Sequence, residues 1–205
     1  MDRYKILLLE NKAWAKEKIY DDPEFFTDSA KGQTPEFLWI GCSDSRVPAE
    51  EITNCVPGQM FLHRNIANQV LAEDPNLMSV LQYAVEALNV NHIIVCGHYE
   101  CGGVKAAMGE VPLNYVSNWL GDLKLLYNEN LARINALPNE NERTRMLVEL
   151  NVDRQVNKLA DTTVVKNAWN AKQPLMIHGW VYDLNTGLLN TVCKASADEI
   201  VRAGS

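Results

Sequence analysis

The chain has 205 residues, a formal net charge of −7, and 47% hydrophobic and 22% charged residues, which suits one well-buried α/β domain over 1–205 and is short for two. No stretch concentrates Lys and Arg, so the charge balance excludes a general nucleic-acid or anionic-membrane binder. The apolar run at 6–9 is closed at once by Glu10, Asn11 and Lys12, too short for a signal-peptide core or a membrane span, and five cysteines without a dense framework point to a reducing, cytoplasmic setting.

Residues 3–20 mix apolar side chains with Lys and Glu and read as a helix, broken at Asp21-Asp22-Pro23. A second short helix is expected over 24–30, which makes 1–30 an N-terminal helical arm. "EFLWIG" (36–41) is an apolar run of strand length ended by glycine, and 59–63 reads as a second strand. Leu77, Val80, Leu81, Ala84, Val85 and Leu88 fall at helical spacing. "HIIVCG" (92–97) is a β-branched run ended by glycine and predicts a buried strand. A helix should open at Cys101-Gly102-Gly103 and run to about residue 108. Tyr115, Trp119, Leu123, Leu126 and Leu131 then mark one longer amphipathic helix, stopped near Pro138. Residues 144–160 and 162–172 look helical, and "LMIHGWVYDLNTGLLNTV" predicts two strands around the Asn185-Thr186-Gly187 turn. Strands alternating with helices indicate an α/β fold: a mostly parallel central β-sheet flanked by helices, with an antiparallel edge. There is no internal repeat, low-complexity tract or linker.

The strands at 36–41 and 92–96 end in loops rich in metal-ligand chemistry: Cys42-Ser43-Asp44-Ser45-Arg46 and His98-Tyr99-Glu100-Cys101. In open parallel sheets, functional groups gather beyond the carboxyl ends of the strands. If these two strands are neighbours, Cys42, Asp44, His98 and Cys101 converge as two thiolates, an imidazole and a carboxylate, a set suited to tetrahedral zinc. Cys42 and His98 are 56 positions apart, which argues for a site internal to the fold rather than a zinc finger. Taken singly, Cys42 reads as a small buried hydrophobe, Asp44 as a turn residue and Arg46 as a surface charge; the combination carries the weight. Cys55, Cys96 and Cys193 have no second ligand beside them and read as ordinary thiols. His63, His92 and His178 read as structural or surface histidines. Asp44 is suited to be a fourth ligand, while Arg46, two residues on, can instead take that carboxylate in a bidentate pair. Pairing would free a coordination place for water, so the loop reads as a switch between a capped and an open metal.

"CSDSRVP" with "CGHYECGG" resembles the β-class carbonic anhydrases, through Cys42-x-Asp44-x-Arg46 and His98-x-x-Cys101, and the resemblance extends to "FLHRNIANQV" (61–70) and "HGWVYD" (178–183). It implies a zinc enzyme with one Zn²⁺ per chain that interconverts carbon dioxide with bicarbonate and a proton, by zinc-bound hydroxide. It also implies obligate homodimers, often paired into dimers of dimers, with the N-terminal helices embracing the partner. The chemistry agrees, because carbon dioxide offers no handle for extensive binding and needs a strong nucleophile in an apolar pocket. Zinc lowers the pKa of bound water from ~15.7 to about 7. Two thiolates weaken that acidification, and Asp44, paired with Arg46, can accept a hydrogen bond from the hydroxide and orient it. Within the family, a subtype of bacterial type carries a non-catalytic bicarbonate pocket of a tryptophan, an arginine and a tyrosine. The matching positions are Trp39, Arg64 and Tyr182, with Gly41 leaving room beside them. That implies inhibition by bicarbonate and a cooperative fall in activity as pH drops toward neutral. The alternative for these three is a pair of core aromatics and a structural ion-pair arginine. Two other readings stay open here: a thiol enzyme using Cys42 or Cys101, lowered by the absence of a Cys-x-x-Cys pair, and a zinc that only braces the fold.

Overall fold

The computed structural model describes residues 2–109 and 112–202, which fall into two units, 1–34 and 35–205. The first holds α1 (Arg3–Asp21) and α2 (Phe25–Ser29). Helix α1 stops at Asp22, whose backbone is extended because the following Pro23 disfavours the helical region for the residue before it. Trp14, Phe25 and Phe26 meet edge to face with centroids 5.0 to 6.3 Å apart. None of α1's residues is buried, and Tyr4, Leu7, Leu8 and Tyr20 stand exposed.

The second unit opens with β1 (Phe37–Cys42), α3 (Ala49–Thr53) and β2 (Met60–Asn65), followed by α4 (Pro75–Gln82) and β3 (His92–His98). Next come α5 (Gly102–Ala107), α6 (Asn114–Trp119), α7 (Gly121–Glu129), α8 (Leu131–Asn135), α9 (Glu140–Asp161) and α10 (Thr163–Asn170). Three strands close the chain: β4 (Met176–Asp183), β5 (Leu188–Ala195) and β6 (Ile200–Arg202). The six strands form one sheet in the order β2-β1-β3-β4-β5-β6. The first four are parallel, and β5 and β6 run antiparallel. Strands β1 and β3 are central, and from Leu38 to Cys42 and Ile93 to His98 every residue is buried, as expected for strands covered on both faces.

The largest core layer sits between Leu38, Ile40, Ile93, Val95 and Ile177 of the sheet and Leu77, Leu81, Val156, Leu159 and Val165 of α4, α9 and α10. Helix α9 is roughly 33 Å long and buries a stripe at helical spacing: Leu147, Val148, Asn151, Val152, Gln155, Val156 and Leu159. Its start is fixed by Asn139, whose Oδ1 accepts the Glu142 N–H while its Nδ2 donates to Glu142 Oε1, both at 2.9 Å, a reciprocal cap. A Cβ added at Gly97 would lie 2.8 Å from Val152 Cγ2, so the glycine lets α9 approach the strand that carries His98. The opposite sheet face has a smaller cluster, in which Trp39, Ile94 and Cys96 pack with Ala49 and Ile52 of α3.

The structure differs from the sequence reading in several places: α3 had no counterpart in it, and α9 starts four residues earlier than the expected 144. The single helix expected from Tyr115 to near Pro138 is three short ones, because Leu120 and Asn130 leave the helical region (ψ 11° and 12°) and Asn130 Nδ2 donates back to Leu126 O at 3.0 Å. The helix expected over 77–88 ends in a wider turn, with Leu88 N donating to Tyr83 O across five residues. Strands β1 and β2 run one and two residues further than expected, so Cys42 closes β1 itself. Strand β6 was not signalled by its sequence. Among the described residues no helix is long and apolar enough to cross a membrane.

Candidate metal centre

Strands β1 and β3 are parallel neighbours, with Gly41 opposite Cys96, so Cys42 and His98 finish at the same edge of the sheet. Beyond His98, Tyr99 N donates to Tyr182 O at 3.0 Å. Glu100 then takes a left-handed conformation (φ 59°), and the turn delivers Cys101 to the start of α5. Cys42 Sγ and Cys101 Sγ lie 3.9 Å apart. The ligating atoms of Cys42, His98 and Cys101 all fall within 4.8 Å of one another, and all three residues are buried.

The imidazole is set up as a ligand. His98 Nδ1 lies 2.9 Å from Tyr99 O; a carbonyl only accepts, so Nδ1 carries the proton and Nε2 presents a lone pair. Among the described residues Nε2 is buried with no hydrogen-bond partner, a costly state for an isolated polar atom. The thiols are prepared too. Cys42 is drawn down, chiefly by the hydrogen bond from the Cys101 thiol and further by the backbone N–H groups of Asp44 and Ala67, against the opposing effect of burial. Cys101, as the proton-bearing partner and a buried group, is pushed up, with the N–H groups of Val104 and Gly103 opposing. Two thiols sharing a proton beside a bare imidazole nitrogen fit zinc, whose binding displaces the proton.

Asp44 is held beside this cluster. Its Oδ1 accepts from Arg46 N and Nε, both at 2.9 Å, and its Oδ2 accepts from Arg46 Nη2 at 2.8 Å. The guanidinium holds the Asp44 carboxyl well below the usual carboxylate range. Oδ2 stands 3.7 Å from His98 Nε2, and Arg46 Nη2 also reaches Glu100 O at 3.4 Å, tying the two loops together.

By strand register Trp39, Arg64 and Tyr182 share one face of the sheet. Trp39 is buried and meets Trp180 edge to face at 6.4 Å. A Cβ on Gly41 would lie 2.3 Å from Trp39 Nε1, so the room beside Gly41 is filled by the indole. Arg64 donates from Nε to Cys42 O at 2.9 Å and from Nη2 to Asp44 O at 2.6 Å, gripping the loop that carries Asp44. Tyr182 is half-buried.

Cys96 and Cys193 are buried and Cys55 is half-buried. His63 is buried and accepts from Asn65 Nδ2 at 3.2 Å, and His92 and His178 bond to each other at 3.2 Å. Sequence reasoning missed the backbone donors to the thiolates, although Gly102-Gly103 after Cys101 marks the helix start that supplies two of them. It also missed the side chain of Tyr99.

The family model described as carbonic anhydrase matches residues 37–189. The chain is similar to a carbonic anhydrase of Emericella nidulans, 46% identical over 87% of this chain and 78% of that one. It is also similar to one of Saccharomyces cerevisiae, 34% identical over 91% and 87%. Among solved structures it superposes on a tetrameric β-carbonic anhydrase of Sordaria macrospora with a TM-score of 0.91, at 37% identity over 94% of this chain and 98% of that one. A Coccomyxa β-carbonic anhydrase in complex with acetazolamide gives a TM-score of 0.90, at 36% identity over 98% and 89%. With the fold, the buried two-thiol and imidazole cluster and these likenesses together, the chain belongs to the carbonic anhydrases, in their β class, zinc enzymes that hydrate carbon dioxide to bicarbonate and a proton.

Proposed function

We propose that Cys42, His98 and Cys101 hold one zinc per chain and that Asp44 and Arg46 act as a switch beside it. The observation that carries this reading is the buried His98 Nε2, beside two thiols and without a hydrogen-bond partner among the described residues. Zinc, when bound, acts as a Lewis acid that makes hydroxide available near neutral pH. The chain's own residues do the rest. Asp44 Oδ2, kept ionised by Arg46, is an acceptor for an O–H group beside the cluster and orients it toward carbon dioxide. Arg46 keeps the carboxylate from turning onto the metal. Removing it leaves the carboxylate free to cap, so Arg46→Ala should retain zinc and lose about 10²-fold in carbon dioxide hydration, the scale of a positioned acid–base group. Stopped-flow hydration at the wild-type rate would remove the arginine from the reading.

Inhibition by bicarbonate at Trp39, Arg64 and Tyr182 belongs to the same proposal. Its support is Arg64's grip on Cys42 O and Asp44 O: an anion that draws the guanidinium away loosens the loop and lets Asp44 cap the metal. An anion shifts that balance only by its differential affinity for the two states. Trp39→Phe and Tyr182→Phe should weaken bicarbonate inhibition with zinc retained, and unchanged inhibition in both variants would sink the idea. We further propose a homodimer, paired into a dimer of dimers, with the exposed apolar residues of α1 covered by the partner. A tetrameric relative supports this assembly. A cytoplasmic setting is supported by Cys42, Cys55, Cys96 and Cys101, none of which forms a disulfide.

A further inference from the structure

We propose that Tyr99, Arg145 and Glu149 form a clamp that positions the turn between the two ligands His98 and Cys101. The inference rests on the ligand reading above. It starts from the His98 ring, whose Nδ1–H is bonded to the carbonyl of Tyr99 at 2.9 Å, so the ring follows wherever the Tyr99 backbone goes. That backbone is tied on one side to β4, where Tyr99 N donates to Tyr182 O at 3.0 Å. On the other side the buried Tyr99 side chain is tied to α9. Its hydroxyl donates to Glu149 Oε1 at 2.7 Å, and the Arg145 guanidinium lies over its ring, 3.4 Å from the centroid. Arg145 and Glu149 are one turn apart on the same helix face.

Arg145 is itself anchored. Its Nη1 and Nη2 lie 3.4 and 3.5 Å from Asp183 Oδ2, and Asp183 Oδ1 accepts from Asn185 N and Nδ2 at 2.9 and 3.2 Å. The turn is therefore fixed from a helix and a strand end that carry no ligand. It needs such a hold, because Glu100, between Tyr99 and Cys101, sits at φ 59°, a conformation that costs a non-glycine residue and persists where the surroundings enforce it. Tyr99, Arg145 and Glu149 touch neither metal nor substrate; they are positioning residues, of the kind whose loss weakens metal affinity.

The test uses the full-length protein, with the zinc dissociation constant measured by chelator competition and the visible absorption of the cobalt-loaded form recorded alongside. Tyr99→Phe keeps the ring under Arg145 but loses the hydroxyl, and Glu149→Ala removes the acceptor from an exposed helix position. Both should weaken zinc binding about 10-fold to 100-fold, the range for partners that orient a ligand, and shift the cobalt bands. Glu149→Gln keeps an acceptor for the hydroxyl and should stay close to wild type. Val165→Ala, in the core under α10, should lower thermal stability and leave the zinc constant alone. Wild-type constants and cobalt bands in both Tyr99→Phe and Glu149→Ala would overturn the clamp, as would an equal loss in Val165→Ala, which would tie affinity to stability at large. Wild-type protein that takes up neither metal would overturn the ligand reading, and the clamp with it.

Discussion

Strand β3 begins at His92 and ends at His98, and the two imidazoles have opposite surroundings. At the amino end, His92 bonds to His178 at 3.2 Å, stacks on Phe37 with centroids 5.6 Å apart and is partly open to solvent. At the carboxyl end, His98 is buried among thiols, spends Nδ1 on a backbone carbonyl and leaves Nε2 without a partner among the described residues. The amino-end pair satisfies itself, while the carboxyl-end histidine keeps an unspent nitrogen beside two thiols. Burial together with an unspent lone pair separates the proposed ligand from a structural histidine here, and residue type does not.

The comparison breaks most sharply on metal content. Cys42→Ser or His98→Ala should abolish stoichiometric zinc, whereas His92→Ala and His178→Ala should each keep one zinc per chain by elemental analysis. Zinc retained by Cys42→Ser would void the distinction between the two ends. A smaller effect tests how tightly the carboxyl end is packed. Gly41→Ala places a methyl against the Trp39 indole and should cost about 1–3 kcal/mol in denaturant unfolding, the scale of overpacking; an unchanged midpoint would mean that the indole moves freely. The smallest effect is at the amino end. Burial, with His92 and Lys194 contributing, lowers the His178 pKa below the ordinary histidine value, so the unfolded chain binds more protons than the folded one. Wild-type stability should fall as pH drops below about 6.5, and His178→Gln should flatten that fall when unfolding is compared at pH 7.5 and pH 5.5.

The strands and the cluster proposed to hold zinc were legible because each is written locally: apolar runs closed by glycine, followed at once by Cys42, Asp44 and Arg46 or by His98 and Cys101. What the sequence hid is long-range or backbone-borne. Tyr99 meets Glu149 across 50 positions, and no local pattern announces that pair. The Ala67 N–H that reaches Cys42 belongs to a left-handed residue (φ 61°) that an alanine does not advertise. The breaks at Leu120 and Asn130 were masked by apolar spacing that continues across them, since periodicity reports which side faces the core and not whether the backbone stays helical. Arg64 was read toward an anion; its bonds to Cys42 O and Asp44 O depend on how strands β1 and β2 align, which composition does not reveal.

The central claim is that two thiolates and one imidazole of this chain hold the zinc, and X-ray absorption at the zinc edge of the wild-type protein tests it most directly. The account predicts a shell with two sulfurs at about 2.3 Å and one imidazole nitrogen at about 2.0–2.1 Å. A shell of oxygen and nitrogen alone in the wild-type protein would contradict it.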